Sequence, residues 1–183
     1  GSGIVDMVAQ MLDSGVIDSF GRMVTREEAQ DKLPSDLASR ISVYNGSPSF
    51  VIANEGEKAA KQIFITQKDV REIQLAKAAI AAGIQILMEE MNINYDDIEK
   101  VYLAGGFGNY INQYHAMRIG LLPAECKGKI ISIGNAALTG AKMVIKSGGF
   151  MEAAEKIRKA TGYVELSNKA GFQEVFVDNM EFK

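Results

Sequence analysis

The sequence predicts an α/β domain, a mixed sheet flanked by helices, on three observations. Val101-Tyr102-Leu103-Ala104 is a short apolar run that enters Gly105-Gly106-Phe107-Gly108 and then a helical stretch. Lys129-Ile130-Ile131-Ser132-Ile133 does the same into Gly134-Asn135-Ala136-Ala137. A long helical pattern from about residue 66 to Met91 precedes both. Strand–glycine–helix units bring bare backbone close to a nucleotide at the carboxyl ends of parallel strands. A length of 183 residues, 47 % of them hydrophobic, suits one domain with a full core, so 1–183 reads as a single α/β lobe.

In chain order, Val5, Val8 and Leu12 make a helical stripe over 3–14 that Gly15 can terminate. Residues 18–39 are polar and mixed, punctuated by Pro34, and read as surface loop with at most a short helix. Arg40–Tyr44 and Ser49–Ala53 flank Asn45-Gly46, a hairpin signal. Residues 54–61 are charged loop, and Ile63–Thr66 is a short strand. Thr66 and Asp69 have capping-box spacing at the head of the long helix. Its apolar face is expected at Val70, Ile73, Ile80, Ile84, Leu87 and Met91, beside a small face of Ala76, Ala79, Ala82 and Gly83 suited to close packing on a sheet. Strand 100–104, helix 112–119, strand 129–133 and helix 135–147 form two right-handed βα units. A helix near 150–160, a strand at Tyr163–Leu166 and a last helix from about 169 complete the tail.

A net charge of −3 with pI near 5.3 disfavours nucleic acid or an anionic membrane as partner. No apolar run approaches the roughly 20 residues of a membrane span. No basic region precedes the first apolar residues, so no secretory signal is expected. The single cysteine, Cys126, excludes an internal disulfide or a multi-cysteine metal site and suits a reducing cytoplasm. The chain opens on Gly1-Ser2-Gly3 without an initiator Met and reads as a fragment of a longer polypeptide.

Candidate binding residues follow from the turns. Gly105 and Gly106 stand where a strand must turn, Phe107 follows them, and Asn109 offers hydrogen bonds to a ribose or phosphate; a purely structural turn is the competing reading. A dinucleotide fingerprint fits poorly, since its third small residue would fall on Ile111, and no phosphate-binding P-loop is present. Gly134-Asn135 repeats the theme, with Asn135 either a ligand contact or a plain helix cap. Gly1, Ser2 and Gly3 open a helix whose amides face an anion, or are a cloning remnant. Lys68 or Arg71 could meet phosphate, and Gln67 or Asp69 could orient water or metal, if strand 63–66 runs parallel to the two glycine-ended strands. His115, the lone histidine, has no nucleophile or ligand beside it and reads as surface or packing. No side chain is assigned a catalytic role and no metal ligand set is proposed.

At these residues the chain resembles a known family. Gly1-Ser2-Gly3-Ile4-Val5-Asp6, Ile65–Lys77, Leu103–Ile111, Ile133–Ala137, Tyr163–Leu166 and Phe172–Phe176 look like the carboxyl-terminal part of the reductive activators of corrinoid proteins, the ferredoxin-containing corrinoid activation family. The likeness spans nearly the whole chain, and Thr66–Lys77 is its most specific piece. It implies the acetate and sugar kinase, heat-shock cognate and actin (ASKHA) superfamily, with a ribonuclease H-like lobe that is the carboxyl-terminal part of a two-lobed ATPase domain. By resemblance, Gly105 and Gly106 match the superfamily's adenosine loop, Gly134-Asn135 edges the cleft, and Lys68 and Asp69 face it. The resemblance implies ATP and Mg2+ as cofactors in the two-lobed parent and an iron–sulfur cluster in a separate domain. The implied activity is ATP-coupled one-electron reduction of cob(II)alamin to cob(I)alamin on the corrinoid protein of a methyltransferase system; homodimerisation is left open. The family often carries Asp-Pro where this chain has Asn112-Gln113, which softens that helix start. The superfamily's phosphate loops and the cluster cysteines are missing here, so this chain alone is expected to hydrolyse ATP poorly or not at all. The rival readings are a non-catalytic interaction module on the same scaffold, or a lobe of another superfamily kinase or dehydratase-type activator.

Overall fold

A computed structural model describes residues 2–56 and 59–183. Helix α1 (Gly3–Asp13) buries Val5, Val8, Ala9 and Met11 and ends where Gly15 takes a φ of 76°. The 18–39 stretch contains two helices, α2 (Arg26–Lys32) and α3 (Ser35–Ala38). The local cause is a full capping box: the Thr25 hydroxyl accepts from the Glu28 amide while Glu28 accepts from the Thr25 amide. Pro34 heads α3, where a missing N–H costs nothing.

Strands β1 (Ile41–Tyr44) and β2 (Ser47–Ala53) form the expected hairpin, with Asn45 and Gly46 both at positive φ. Strand β3 (Ile63–Thr66) pairs antiparallel with β2, so the order is β1-β2-β3. This corrects the conditional expectation that 63–66 runs parallel to the glycine-ended strands. Those strands, β4 (Val101–Ala104) and β5 (Ile130–Gly134), form a separate two-stranded parallel sheet. Both pairing modes are present, but in two sheets.

The long helix α4 (Gln67–Met91) starts on the predicted Thr66–Asp69 box and ends with Asn92 in the left-handed region. Its buried face is Val70, Gln74, Lys77, Ala78, Ala82, Gly83 and Ile86, whereas Ile80, Leu87 and Met91 are exposed. Of the expected apolar face, Val70 is buried and Ile73 packs against the core, but Ile80, Leu87 and Met91 are turned outward, as are Ala76 and Ala79 of the expected small face. The reason is a polar seam. Gln67 accepts from the Met23 amide and donates to the Gly21 carbonyl. Arg71 and Gln74 both donate to the Phe20 carbonyl, and Gln74 also reaches Met180 O at 2.9 Å. The Lys77 amine donates to the Glu181 carbonyl. These side chains satisfy carbonyls of the 18–21 loop and the carboxyl-terminal tail that burial would otherwise leave unpaired.

Beyond β4 come α5 (Gly105–Tyr110), α6 (Gln113–Arg118), α7 (Ala136–Lys146), α8 (Gly148–Ala160) and α9 (Phe172–Asp178). No strand forms at Tyr163–Leu166; residues 163–165 carry no regular structure and a 3-10 turn follows at Leu166–Asn168. One core joins α1, the three-stranded sheet, the base of α4, Ile111, Ala116, Ile119 and Ile130. Among the described residues no helix is long and apolar enough to cross a membrane.

Candidate functional site

The two glycine turns lie side by side. In the parallel ladder Ala104 stands opposite Gly134, so both strands end at the same level and both chains turn there. Gly105 turns at φ 89°, a conformation L side chains avoid, and a Cβ built on Gly105 or Gly106 meets nothing within 4 Å. Bare backbone thus faces open space at this rim. Gly108 serves a different purpose. It is buried against β4, where a Cβ would come within 3.1 Å of the Leu103 Cβ, and its smallness seats α5 on the strand.

The turns are also tied to each other. The Ser132 hydroxyl donates to the Gly108 carbonyl at 3.1 Å. Asn109 places its Oδ1 3.8 Å from where a Gly134 Cβ would sit. Asn135 caps α7 by accepting from the Leu138 amide at 3.0 Å, so its carbonyl oxygen is committed to the helix. Phe107 is half exposed and Tyr110 nearly fully so, giving the rim an aromatic border.

The remaining candidates gather elsewhere. Gly3 and Asp69 line an open cavity of about 320 Å3 with Ile4, Met7, Ile52, Phe64 and Ile65. Ser2 precedes α1 without capping it through its side chain, and Gly1 lies outside the described residues. Lys68 is exposed in the first turn of α4. Asp69 is spent locally: its Oδ2 accepts from the Thr66 amide at 2.8 Å and from the Thr66 hydroxyl at 2.6 Å. Gln67 and Arg71 are likewise engaged by the seam to residues 20–23. Of this polar cluster Lys68 alone extends freely from the helix start toward solvent.

One arrangement escaped sequence reasoning. His115 on α6 sets its Nδ1 2.6 Å from Asp6 Oδ1 on α1 and its Nε2 3.2 Å from the Gln10 amide nitrogen. Asn112 accepts from the His115 amide, so α6 keeps a capped start despite lacking Asp-Pro. Cys126 is buried, and burial pushes its thiol up, which suits an inert thiol. Among the described residues no three His, Cys, Asp or Glu side chains converge to hold a metal.

Residues 1–183 match the family model described as the C-terminal domain of RACo, the ASKHA domain. The corrinoid activation enzyme RamQ of Eubacterium limosum is 39 % identical over 184 residues, covering 100 % of this chain and 30 % of that protein. The Co(II) methylated amine-specific corrinoid protein reductase of Methanosarcina barkeri is 31 % identical over 162 residues, 88 % of this chain and 24 % of that protein. A solved structure of a reductive activator for corrinoid, iron–sulfur protein superposes with a TM-score of 0.87 at 32 % identity, covering 100 % of this chain and 28 % of that one. The chain spans less than a third of the length of each.

Proposed function

The chain belongs to the family of carboxyl-terminal ASKHA domains of RACo, and from that premise we propose that it is the nucleotide-holding lobe of an ATP-dependent reductive activator. The parent would reduce a cob(II)alamin-carrying protein of a methyltransferase system to the cob(I)alamin state in the cytoplasm. The observation that carries this reading is the level pairing of Ala104 with Gly134, which sets two glycine turns at one rim. Gly105 and Gly106 offer bare backbone to the nucleoside, Phe107 borders it, and Asn109 supplies a hydrogen-bonding side chain. Gly134 opens the second turn, and the Asn135 amide nitrogen stays available beside its cap. Ser2, Gly3, Lys68 and Asp69 would form a second edge around α1 and α4, where Gly3 and Asp69 line one cavity.

ATP binding would favour one arrangement of the lobes over another, and its hydrolysis in the parent would supply the free energy for the uphill electron transfer. In this reading Mg2+ would be held with ATP between the two lobes of the parent, and an iron–sulfur cluster would belong to a separate domain. The two-stranded sheet supports that domain reading. A parallel sheet ordinarily has both faces covered, yet Tyr102, Ile131 and Ile133 are 55 %, 40 % and 44 % exposed. A second reading, a docking module without nucleotide, is favoured by the commitment of Asn135 and Asp69 to helix caps.

Calorimetry of ATP with magnesium on the two-lobed protein separates them. Gly106→Leu is a clean probe because its side chain points into open space. ATP affinity is expected to fall about a hundredfold with an unchanged melting temperature. Equal ATP affinity in wild type and variant contradicts nucleotide binding at this rim.

A further inference from the structure

The turn between α1 and α2 holds one aromatic side chain out of the fold. Ile17 and Met23, each 1 % exposed, pair antiparallel as the stem of a tight hairpin. Asp18 closes it: its amide donates to the Arg22 carbonyl at 3.0 Å, and its carbonyl accepts from the Gly21 amide at 2.9 Å. Its Oδ1 also accepts from the Arg22 amide at 2.8 Å. Each further carbonyl of the turn has its own donor. Ser19 accepts from the Phe182 amide of the tail at 2.8 Å. Phe20 accepts from Arg71 at 2.7 Å and from Gln74 at 3.1 Å, and Gly21 from Gln67 at 2.6 Å. Gly21 sits at a φ of 73°, and a Cβ there would collide with the Gln74 amide. The stem, α4 and the tail thus fix this backbone, yet the Phe20 side chain is 65 % exposed.

A single exposed phenylalanine is ordinary on a protein surface. Phe20 differs in the number of donors committed to the backbone that carries it. Little loop entropy remains to be lost when its ring is covered, which is what preorganises an anchor for binding. Its surround is polar. Arg22 meets Glu28 at 2.9 Å and Asp18 at 3.5 Å, and the exposed Arg71 holds the Phe20 carbonyl. An aromatic anchor within a polar rim is the makeup of a binding hot spot. Helices α7 and α8 present the opposite case: they bury no residue and expose Ile145, Phe150, Met151 and Ile157, a surface that calls for permanent cover. A lone ring bordered by ion pairs stays soluble when uncovered, which suits a partner that comes and goes.

We propose that Phe20 is the anchor by which the parent docks on its corrinoid-carrying partner, its phenyl ring entering an apolar pocket of that protein. The proposal rests on the activator reading above. Its test is surface plasmon resonance of the two-lobed protein against the purified cob(II)alamin-carrying protein, with ATP and magnesium present, for wild type, Phe20→Ala and Phe20→Leu. Phe20→Ala is expected to weaken binding about thirtyfold, with melting temperature and ATP affinity unchanged. Phe20→Leu, which keeps most of the apolar surface, stays within about fivefold of wild type. A photo-crosslinking p-benzoylphenylalanine in place of Phe20 is expected to capture the cob(II)alamin-carrying protein. Equal affinity of wild type and Phe20→Ala overturns this proposal alone, as does crosslinking confined to the parent, which assigns the ring to its second lobe. Absence of any binding by wild type overturns the activator reading and this proposal together.

Discussion

Helices α1 and α8 are both amphipathic and of similar length, 11 and 13 residues, yet they end in opposite environments. Helix α1 buries four of its residues, with Val8 and Ala9 wholly inaccessible. Helix α8 buries none, and neither does α7. Ile145, Phe150, Met151, Ile157 and Tyr163 stand on this half of the molecule, with Ile145 and Tyr163 each 84 % exposed. The outward side of α4 adds Ile80, Leu87 and Met91. In the first region the chain supplies its own cover: the antiparallel sheet, the 18–21 loop and the tail. In the second, apolar patterning is in place while the side chains stay exposed, the surface against which the proposed second lobe would pack.

The contrast is sharpest in substitutions. Val8→Asp places a carboxylate in the closed core and is expected to cost at least about 4 kcal/mol, enough to abolish cooperative thermal unfolding. Next comes Lys77, which is 1 % exposed although charged by nature. Burial is the main cause that drives its amine down from 10.5 to about 8, helped by Lys183 and opposed by Glu181. A depressed amine means that the charged form is the one the fold penalises. Below pH 8 the penalty is fully present, and it is relieved as pH rises from about 8 toward 10.5. Wild-type stability should therefore climb across that window by at most about 3 kcal/mol relative to Lys77→Met, read as the difference between their denaturant midpoints. A flat difference removes Lys77 from the closed region. The smallest effect belongs to the open region. Ile157→Lys should change the stability of this chain by no more than about 0.5 kcal/mol. In the two-lobed protein the same change should cost about 2 kcal/mol or more if α8 is covered there.

The same division explains what could be read from residues alone. The Asn45-Gly46 hairpin, the Thr66–Asp69 box and the paired glycine-ended strands were legible because each rests on a local rule. The face of α4 was not. Its periodicity counts Ile80, Leu87 and Met91 as inward, but Gln74 and Lys77 are drawn in by carbonyls of Phe20, Met180 and Glu181, partners 54, 106 and 104 residues away in the chain. Nor was the His115–Asp6 bond, which spans 109 residues. Tyr163–Leu166 has strand-forming residues and no neighbouring strand edge to pair with among the described residues. At the site, the glycine rim was visible, while the engagement of Gln67, Arg71 and Asp69 in structural bonds depended on the 18–23 loop and the cap.

The turns at 105–109 and 134–136 are proposed to form one nucleotide rim. Hydrogen exchange of the two-lobed protein with and without ATP and magnesium tests it most directly. Joint slowing of the amides in both turns, with no change along α8, is the expected result. Unchanged exchange in both turns at saturating ATP, or slowing confined to one of them, contradicts it.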